Sequence, residues 1–291
     1  MISIAERRAH LRAILQGTLC LSPGSVFDAL SAKLAEQAGF RLGMLAGSVA
    51  SQTTLATPDV NLVTLTELAA QARSITRVSN LSLFVDADHG FGNALNVART
   101  VEELEYAGVS GFSIEDTALP VRYGQPAGSD ELVSLDEMLA KLRVAVAARR
   151  DPSLVLAGRT SALKVAGMES AMTRVKAIAQ TGVDAVFLLG VQTIDQVAAF
   201  RQAMPLPIIL GSAPATLTHA KLAEQGARIL LQGHIPLAVT MKALLGAYQH
   251  LFGGGTPAAL ADRALTSAEM DRVTGQASVN QQKNDYLGQV K

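Results

Sequence analysis

The stretch Ser82–Asp116, SLFVDADHGFGNALNVARTVEELEYAGVSGFSIED, decides the fold of this chain. It opens on the apolar run Ser82–Val85, which is too short for a helix and continuous rather than alternating. Such a run suits a strand buried on both faces of a parallel sheet. Val97, Val101 and Leu104 then share one helical face, and Gly108 stands where a left-handed cap ends a helix. A second run, Gly111–Ile114, completes a strand–helix–strand unit.

The same alternation continues outward in both directions. Apolar runs at Thr18–Leu21, Leu42–Leu45, Leu154–Ala157, Ala185–Leu189, Pro207–Leu210 and Ile229–Leu231 predict six more strands. Leu65, Leu68, Ala72 and Ile75 form one helical stripe, and Met168, Ala171, Met172, Val175 and Ile178 form another. Gly39, Gly182 and Gly226 repeat the helix stop seen at Gly108. Eight such units without a composition break predict an α/β fold, a (β/α)₈ TIM barrel over residues 1–255, in preference to a doubly wound sheet. The breaker Gly253-Gly-Gly-Thr-Pro257 then leads into a polar arm, 256–291, with short helices expected near Ser267–Thr274 and Ser278–Tyr286. An arm beyond a closed barrel needs a surface to pack on, and a neighbouring subunit is the expected one.

Composition narrows the function. Of 291 residues, 49% are apolar and 17% charged, which excludes a disordered chain. The 25 Lys+Arg balance 25 Asp+Glu, so no basic footprint invites nucleic acid or an anionic membrane surface. Mean hydropathy is positive. Yet the uncharged stretch between Arg201 and Lys221 holds Pro205, Pro207 and Pro214, which no membrane-spanning helix tolerates. Residues Met1–His10 contain no apolar signal core, and Cys20 is the single cysteine, so neither a disulfide framework nor a cysteine zinc site can form within one chain. A soluble, cytoplasmic protein is expected.

Its scarce charges gather at the strand ends: Gly47-Ser48, Asp86-Ala-Asp88-His89, Glu115-Asp116, Arg159-Thr160 and Gly233-His234. In a TIM barrel those ends converge on one mouth. Asp86 and Asp88, two apart, are expected on one face of their strand, with Glu115 on the next strand. Three such carboxylates repel unless a cation sits among them, and an all-oxygen set selects Mg²⁺, or Mn²⁺ as the alternative. The spacing fits neither an EF-hand, whose twelfth position here is Val97, nor a dinucleotide loop, whose third glycine is here Leu95. Gly90 and Gly92 are expected to let the backbone turn closely around a bound ion. Arg159 either forks onto a substrate carboxylate or pairs with the acids. Gly47 and Ser48 either offer amides to an oxyanion or form a plain turn. His234 is a candidate proton donor or carboxylate ligand.

These residues resemble the isocitrate lyase/phosphoenolpyruvate mutase superfamily over nearly the whole chain. The likeness lies in Ser25–Gly39, Gly47-Ser-Val-Ala-Ser51, Pro58-Asp59, Asp86–Asn93, Ile114-Glu-Asp116 and Gly158-Arg-Thr160. The resemblance implies a barrel whose eighth helix is exchanged between subunits, usually within a homotetramer built as a dimer of helix-swapped dimers. It also implies Mg²⁺ gripping an α-keto dicarboxylate, with Asp86 a direct ligand and Asp59, Asp88 and Glu115 acting through water. Gly47, Ser48, Arg159 and His234 would bind substrate, and Ser48, Arg159 and His234 would carry the chemistry. Segment Thr117–Gln125 has neither the cysteine loop of the isocitrate-type lyases nor the Lys-x-Asn-Ser of the phosphonate branches. Gly47–Ser51, Asp86–Val97, Ile114–Pro120 and Gly233-His234 instead resemble the oxaloacetate decarboxylase branch, whereas Gly211–Ala215 departs from it. Decarboxylation of oxaloacetate to pyruvate and CO₂ is therefore expected. The alternatives are a C–C lyase or hydrolase acting on another substituted malate or α-keto dicarboxylate (methylisocitrate-lyase-like), and a silent dicarboxylate-binding barrel.

Overall fold

Short apolar runs become strands because a parallel sheet covered on both faces has no place for polar alternation. A computed structural model describes residues 1–126 and 130–288, so the centre of the 117–131 loop and the last positions of the 256–291 arm lie outside the described residues. Helix α1 (Ile4–Gln16) precedes β1 (Gly24–Ser25), α2 (Ala29–Gln37), β2 (Leu42–Leu45), α3 (Gly47–Leu55), α4 (Leu65–Thr76) and β3 (Ser82–Asp86). Next come α5 (Ala94–Tyr106), β4 (Gly111–Glu115), α6 (Leu135–Ala148), β5 (Val155–Thr160), α7 (Ala162–Ile178) and β6 (Ala185–Leu188). The chain continues through α8 (Ile194–Ala203), β7 (Ile208–Leu210), α9 (His219–Glu224), β8 (Ala227–Leu230) and α10 (Ile235–Phe252). A 3₁₀ turn, Pro257–Arg263, leads to α11 (Ser267–Thr274) and α12 (Gln276–Tyr286).

The strands lie in sequence order, each parallel to the next. Leu21 joins the two ends: its N–H donates to the Arg228 carbonyl at 2.9 Å, and its own carbonyl accepts from Leu230 N–H at 2.9 Å. This is a (β/α)₈ barrel. The first strand differs from the expected Thr18–Leu21. That run lies just before the barrel, with Leu19 exposed and Cys20 buried, and the strand proper is Gly24–Ser25, which carries no apolar signature. The stops at Gly39, Gly108, Gly182 and Gly226 all have positive φ, as a left-handed cap requires.

Alternation along the strands sorts the core into two layers. Leu83, Val85, Phe112, Ile114, Leu156 and Val186 face the helices. Met44, Phe84, Val155, Ala157, Phe187 and Ile209 fill the barrel interior. Helix α1 seals the lower end, with Leu11 and Leu15 joining the inner layer and the buried Arg7 donating to the Ser79 carbonyl at 2.8 Å. The strands finish at the opposite end, the one where barrels of this kind carry their chemistry.

Helix α10 is apolar but uncovered: Val239, Met241, Leu245, Tyr248 and Phe252 are exposed. In the arm, α11 packs against α2 of the same chain and buries Val273. Among the described residues no helix is long and apolar enough to cross a membrane.

Candidate active site

Counting by twos up the inner face of three strands leads to the site. Phe84 points inward, so Asp86 does too; Val155 and Ala157 put Arg159 on the same side. Glu115 alternates with the outward Phe112 and Ile114. Register sets Asp86 beside Ser113 and Glu115 beside Arg159. Neighbouring strands thus deliver two acids and one base to one point of the mouth.

The Arg159 guanidinium bridges the acids. Its Nη1 pairs with Asp86 Oδ2, and its Nη2 lies 3.1 Å from Glu115 Oε2. Its Cζ stands 5.4 Å from the Phe187 ring centroid, within cation–π range. Thr117 Oγ1 donates to Glu115 Oε2 at 3.1 Å, and Ser113 Oγ approaches Asp86 Oδ1 at 3.4 Å. Arg159 is therefore ion-paired to the acids, but this does not exhaust its donors. Its Nε is buried without a partner among the described residues, a cost that a bound carboxylate would remove.

Asp88 reaches the mouth by a turn rather than by strand alternation. Strand β3 ends at Asp86, and Asp88 has φ +45°, a left-handed conformation that aspartate tolerates. Its N–H donates to Asp86 Oδ1 at 3.3 Å, and Asn61 Nδ2 donates to its Oδ2 at 3.3 Å. A Cβ on Gly90 would stand 2.4 Å from Val97 Cγ2, and one on Gly92 would stand 2.3 Å from Asn96 Oδ1. Those glycines let the loop close onto the start of α5. Asp59 lies on the exposed loop after α3.

The electrostatics show an excess of negative charge. Burial raises the Asp88 carboxyl well above its ordinary value, and Asp86, Glu115 and Asp59 push it further; Arg159 only partly offsets them. Burial pushes Glu115 up to about 7, with Arg159 opposing and Asp86 adding. Asp59 is raised by desolvation and then by Asp86. Burial works against the Arg159 cation, yet Asp86 and Glu115 outweigh it and hold its pKa above the usual value. One guanidinium does not neutralise this set, whereas a hard divalent cation with oxygen ligands would. Among the described residues no three acids close around a single ion-sized point, because Arg159 stands between Asp86 and Glu115.

Gly47 and Ser48 form the first turn of α3, after Ala46, which supplies no side-chain cap. First-turn amides have no partner inside a helix and favour anions, so these residues are more than a plain turn. A Cβ on Gly47 would lie 2.5 Å from Asp88 Oδ1. Gly47→Ala should therefore displace Asp88 and weaken the binding of a divalent cation about 10–100-fold, with little change in melting temperature. Mg²⁺ titration by calorimetry checks this, and unchanged affinity would remove Asp88 from the cation site. His234 caps the start of α10, and its Nδ1 lies 2.9 Å from Ser25 Oγ. Burial lowers its pKa although Asp86 opposes this, which favours the neutral ring.

Comparison with known proteins agrees with this geometry. Residues 11–252 match the family model described as phosphoenolpyruvate phosphomutase. The chain belongs to the phosphoenolpyruvate phosphomutase family. A protein of Rhodopseudomonas palustris (strain BisB5) named oxaloacetate decarboxylase is 49% identical over 285 residues, 97% of each chain. The structure of oxaloacetate acetylhydrolase with the inhibitor 3,3-difluorooxalacetate superimposes with a TM-score of 0.85 at 29% identity, covering 99% of both chains. That of phosphonopyruvate hydrolase with oxalate and Mg²⁺ gives 0.85 at 27%, covering 98% of this chain and 100% of the other.

In this family member, some site residues carried no sequence signal of their own. Phe187 was legible only as core, although it is register partner to Arg159. Ser25 and Asn61 meet His234 and Asp88 across long chain separations. Thr117 lies two residues from Glu115 and was open to the same counting that found Asp88.

Proposed function

We propose that this family member decarboxylates oxaloacetate to pyruvate and CO₂ with the help of a divalent cation held by Asp86 directly and by Asp59, Asp88 and Glu115 through water. The observation that carries the reading is the mouth itself, where buried carboxylates outnumber the one guanidinium among them. The near-full-length relatives named oxaloacetate decarboxylase support the choice of substrate. A bound Mg²⁺ or Mn²⁺ would supply Lewis-acid stabilisation of charge that appears only along the reaction path.

The protein groups do the rest. Arg159 Nε and the fork grip the C1 carboxylate, and the first-turn amides of Gly47 and Ser48, with the Ser48 hydroxyl, face the C2 oxygen. Loss of CO₂ breaks C3–C4 and leaves its electron pair in the enolate of pyruvate, which a proton at C3 then quenches. His234, held by Ser25, orients the C4 carboxylate by hydrogen bonding and passes a proton. Cys20 belongs to the outer core with its thiol pushed up to about 11 by burial, so no thiol acid serves this mouth.

His234→Ala should lower kcat about a hundredfold while the melting temperature moves by only a few degrees. Turnover and thermal unfolding measured on one preparation test this, and an unfolded variant would make His234 structural. Product analysis separates the rival reaction, because hydrolysis at C2–C3 would give oxalate and acetate in place of pyruvate and CO₂. A parallel assay with 2,3-dimethylmalate covers a lyase.

The same reading takes α10 as the helix exchanged between subunits of a homotetramer, with the 256–291 arm lying against a neighbour. The exposed apolar side chains of α10 support it, since a patch of that kind on a free surface is unusual. Light scattering should give four chains per particle, and a monomer would contradict it. A lone, buried cysteine suits a reducing, cytoplasmic setting.

A further inference from the structure

Asp116 follows Glu115 but is fully enclosed, with no exposed surface. A buried carboxylate is costly unless charge and hydrogen bonds surround it. Asp116 Oδ2 accepts from Thr160 Oγ1 at 2.6 Å and pairs with Arg174 Nη1 at 3.1 Å, and Oδ1 accepts the Ser161 N–H at 3.1 Å. The Asp116 N–H donates to the Arg159 carbonyl at 3.2 Å. One residue thus holds the backbone at positions 159 and 161 and the side chain at 160.

It also reaches the backbone just before α6. Its carbonyl accepts the Val133 N–H at 2.8 Å, and Arg174 Nη2 donates to the Val133 carbonyl at 2.8 Å. Thr117 and Leu132 pair as a bridge next to it. The segment at Thr117 and Leu132–Val133 and the strand end bearing Arg159 therefore share one anchor. Among the described residues the Arg159 side chain is itself held by Asp86, Glu115 and the Phe187 face, and the two acids are the groups for which a cation competes. What keeps the fork aimed when those acids are engaged is the placement of its backbone.

We propose that Asp116, braced by Arg174, is the positioning residue that aims Arg159 at the substrate carboxylate. This rests on Arg159 being the carboxylate grip of the reaction proposed above.

The test is a double-mutant cycle. Asp116→Asn removes the charge at constant shape, and Thr160→Val removes one hydrogen bond of the clamp. Each is made alone and together with Arg159→Lys, then measured for oxaloacetate turnover with Mg²⁺ and for oxalate binding by calorimetry with Mg²⁺. Each single variant should raise KM and the oxalate Kd about 10–100-fold, with a smaller effect on kcat. In the Arg159→Lys background the same change should add less than about twofold, because the group it acts through is already gone. Equal losses in both backgrounds, or no loss in either single variant, would overturn the proposal. If Asp116→Asn does not fold, Thr160→Val carries the same comparison. A wild-type protein that binds oxalate but leaves oxaloacetate intact refutes the reaction, and the oxalate Kd cycle still decides the positioning role. Failure of both wild-type measurements refutes both.

Discussion

Asp86→Ala is expected to abolish cation-dependent turnover of oxaloacetate, lowering kcat/KM by at least about a thousandfold, roughly 4 kcal/mol of transition-state stabilisation. Asp86 ends β3 on the inner face, next to Arg159 on one side and to the Asp88 turn on the other, a position that no other carboxylate among the described residues shares. The fold should survive, because Arg159 keeps Glu115 at 3.1 Å and is not left as an unpaired buried charge. Asp86→Asn, of the same shape, separates lost ligation from lost packing and should fail as badly. Activity measured against Mg²⁺ concentration checks the claim. Full activity in Asp86→Ala would place the cation elsewhere.

Arg159→Ala is expected to raise KM for oxaloacetate about a hundredfold, near 2.7 kcal/mol, the order of a charge-assisted bidentate contact. It has a second consequence. The mouth would then hold Asp86, Asp88 and Glu115 with no positive group, so the cation-free protein should lose stability while the Mg²⁺-loaded form recovers much of it. Binding to the folded state alone stabilises by about 2.7 kcal/mol at a hundredfold excess over Kd. For a chain of this size that is several degrees in melting temperature. The Mg²⁺-induced rise should therefore be larger in Arg159→Ala than in the wild type. A smaller rise would mean that Arg159 recruits the cation rather than sharing its task. Arg159→Lys should recover charge but not the fork, and so restore stability better than KM.

The barrel was readable because period and run length report burial directly: seven strands lie where continuous apolar runs stand, and the helix stops fall on left-handed glycines. The first strand was not, since Gly24–Ser25 is too short and too small to leave a pattern, and the nearby run Thr18–Leu21 imitates one. In the site, Asp86, Glu115 and Arg159 were legible because strand alternation fixes their direction. Asp88 arrived at the right place for another reason, a left-handed turn that alternation does not describe. The glycines of that loop answer to Val97 and Asn96, side chains whose positions depend on how α5 docks. Ser25 against His234, Phe187 under Arg159 and the Asp116 clamp depend on register between strands or on helix packing across long separations. No local pattern carries that information.

The most direct test of the central claim is the rate of pyruvate and CO₂ release from oxaloacetate by the purified wild-type protein, measured with Mg²⁺, with EDTA, and against Mg²⁺ without protein. The account predicts turnover far above the cation-only rate, equal amounts of the two products, and loss of turnover in EDTA that added Mg²⁺ restores. Turnover no faster than the cation alone, or undiminished by EDTA, would contradict it.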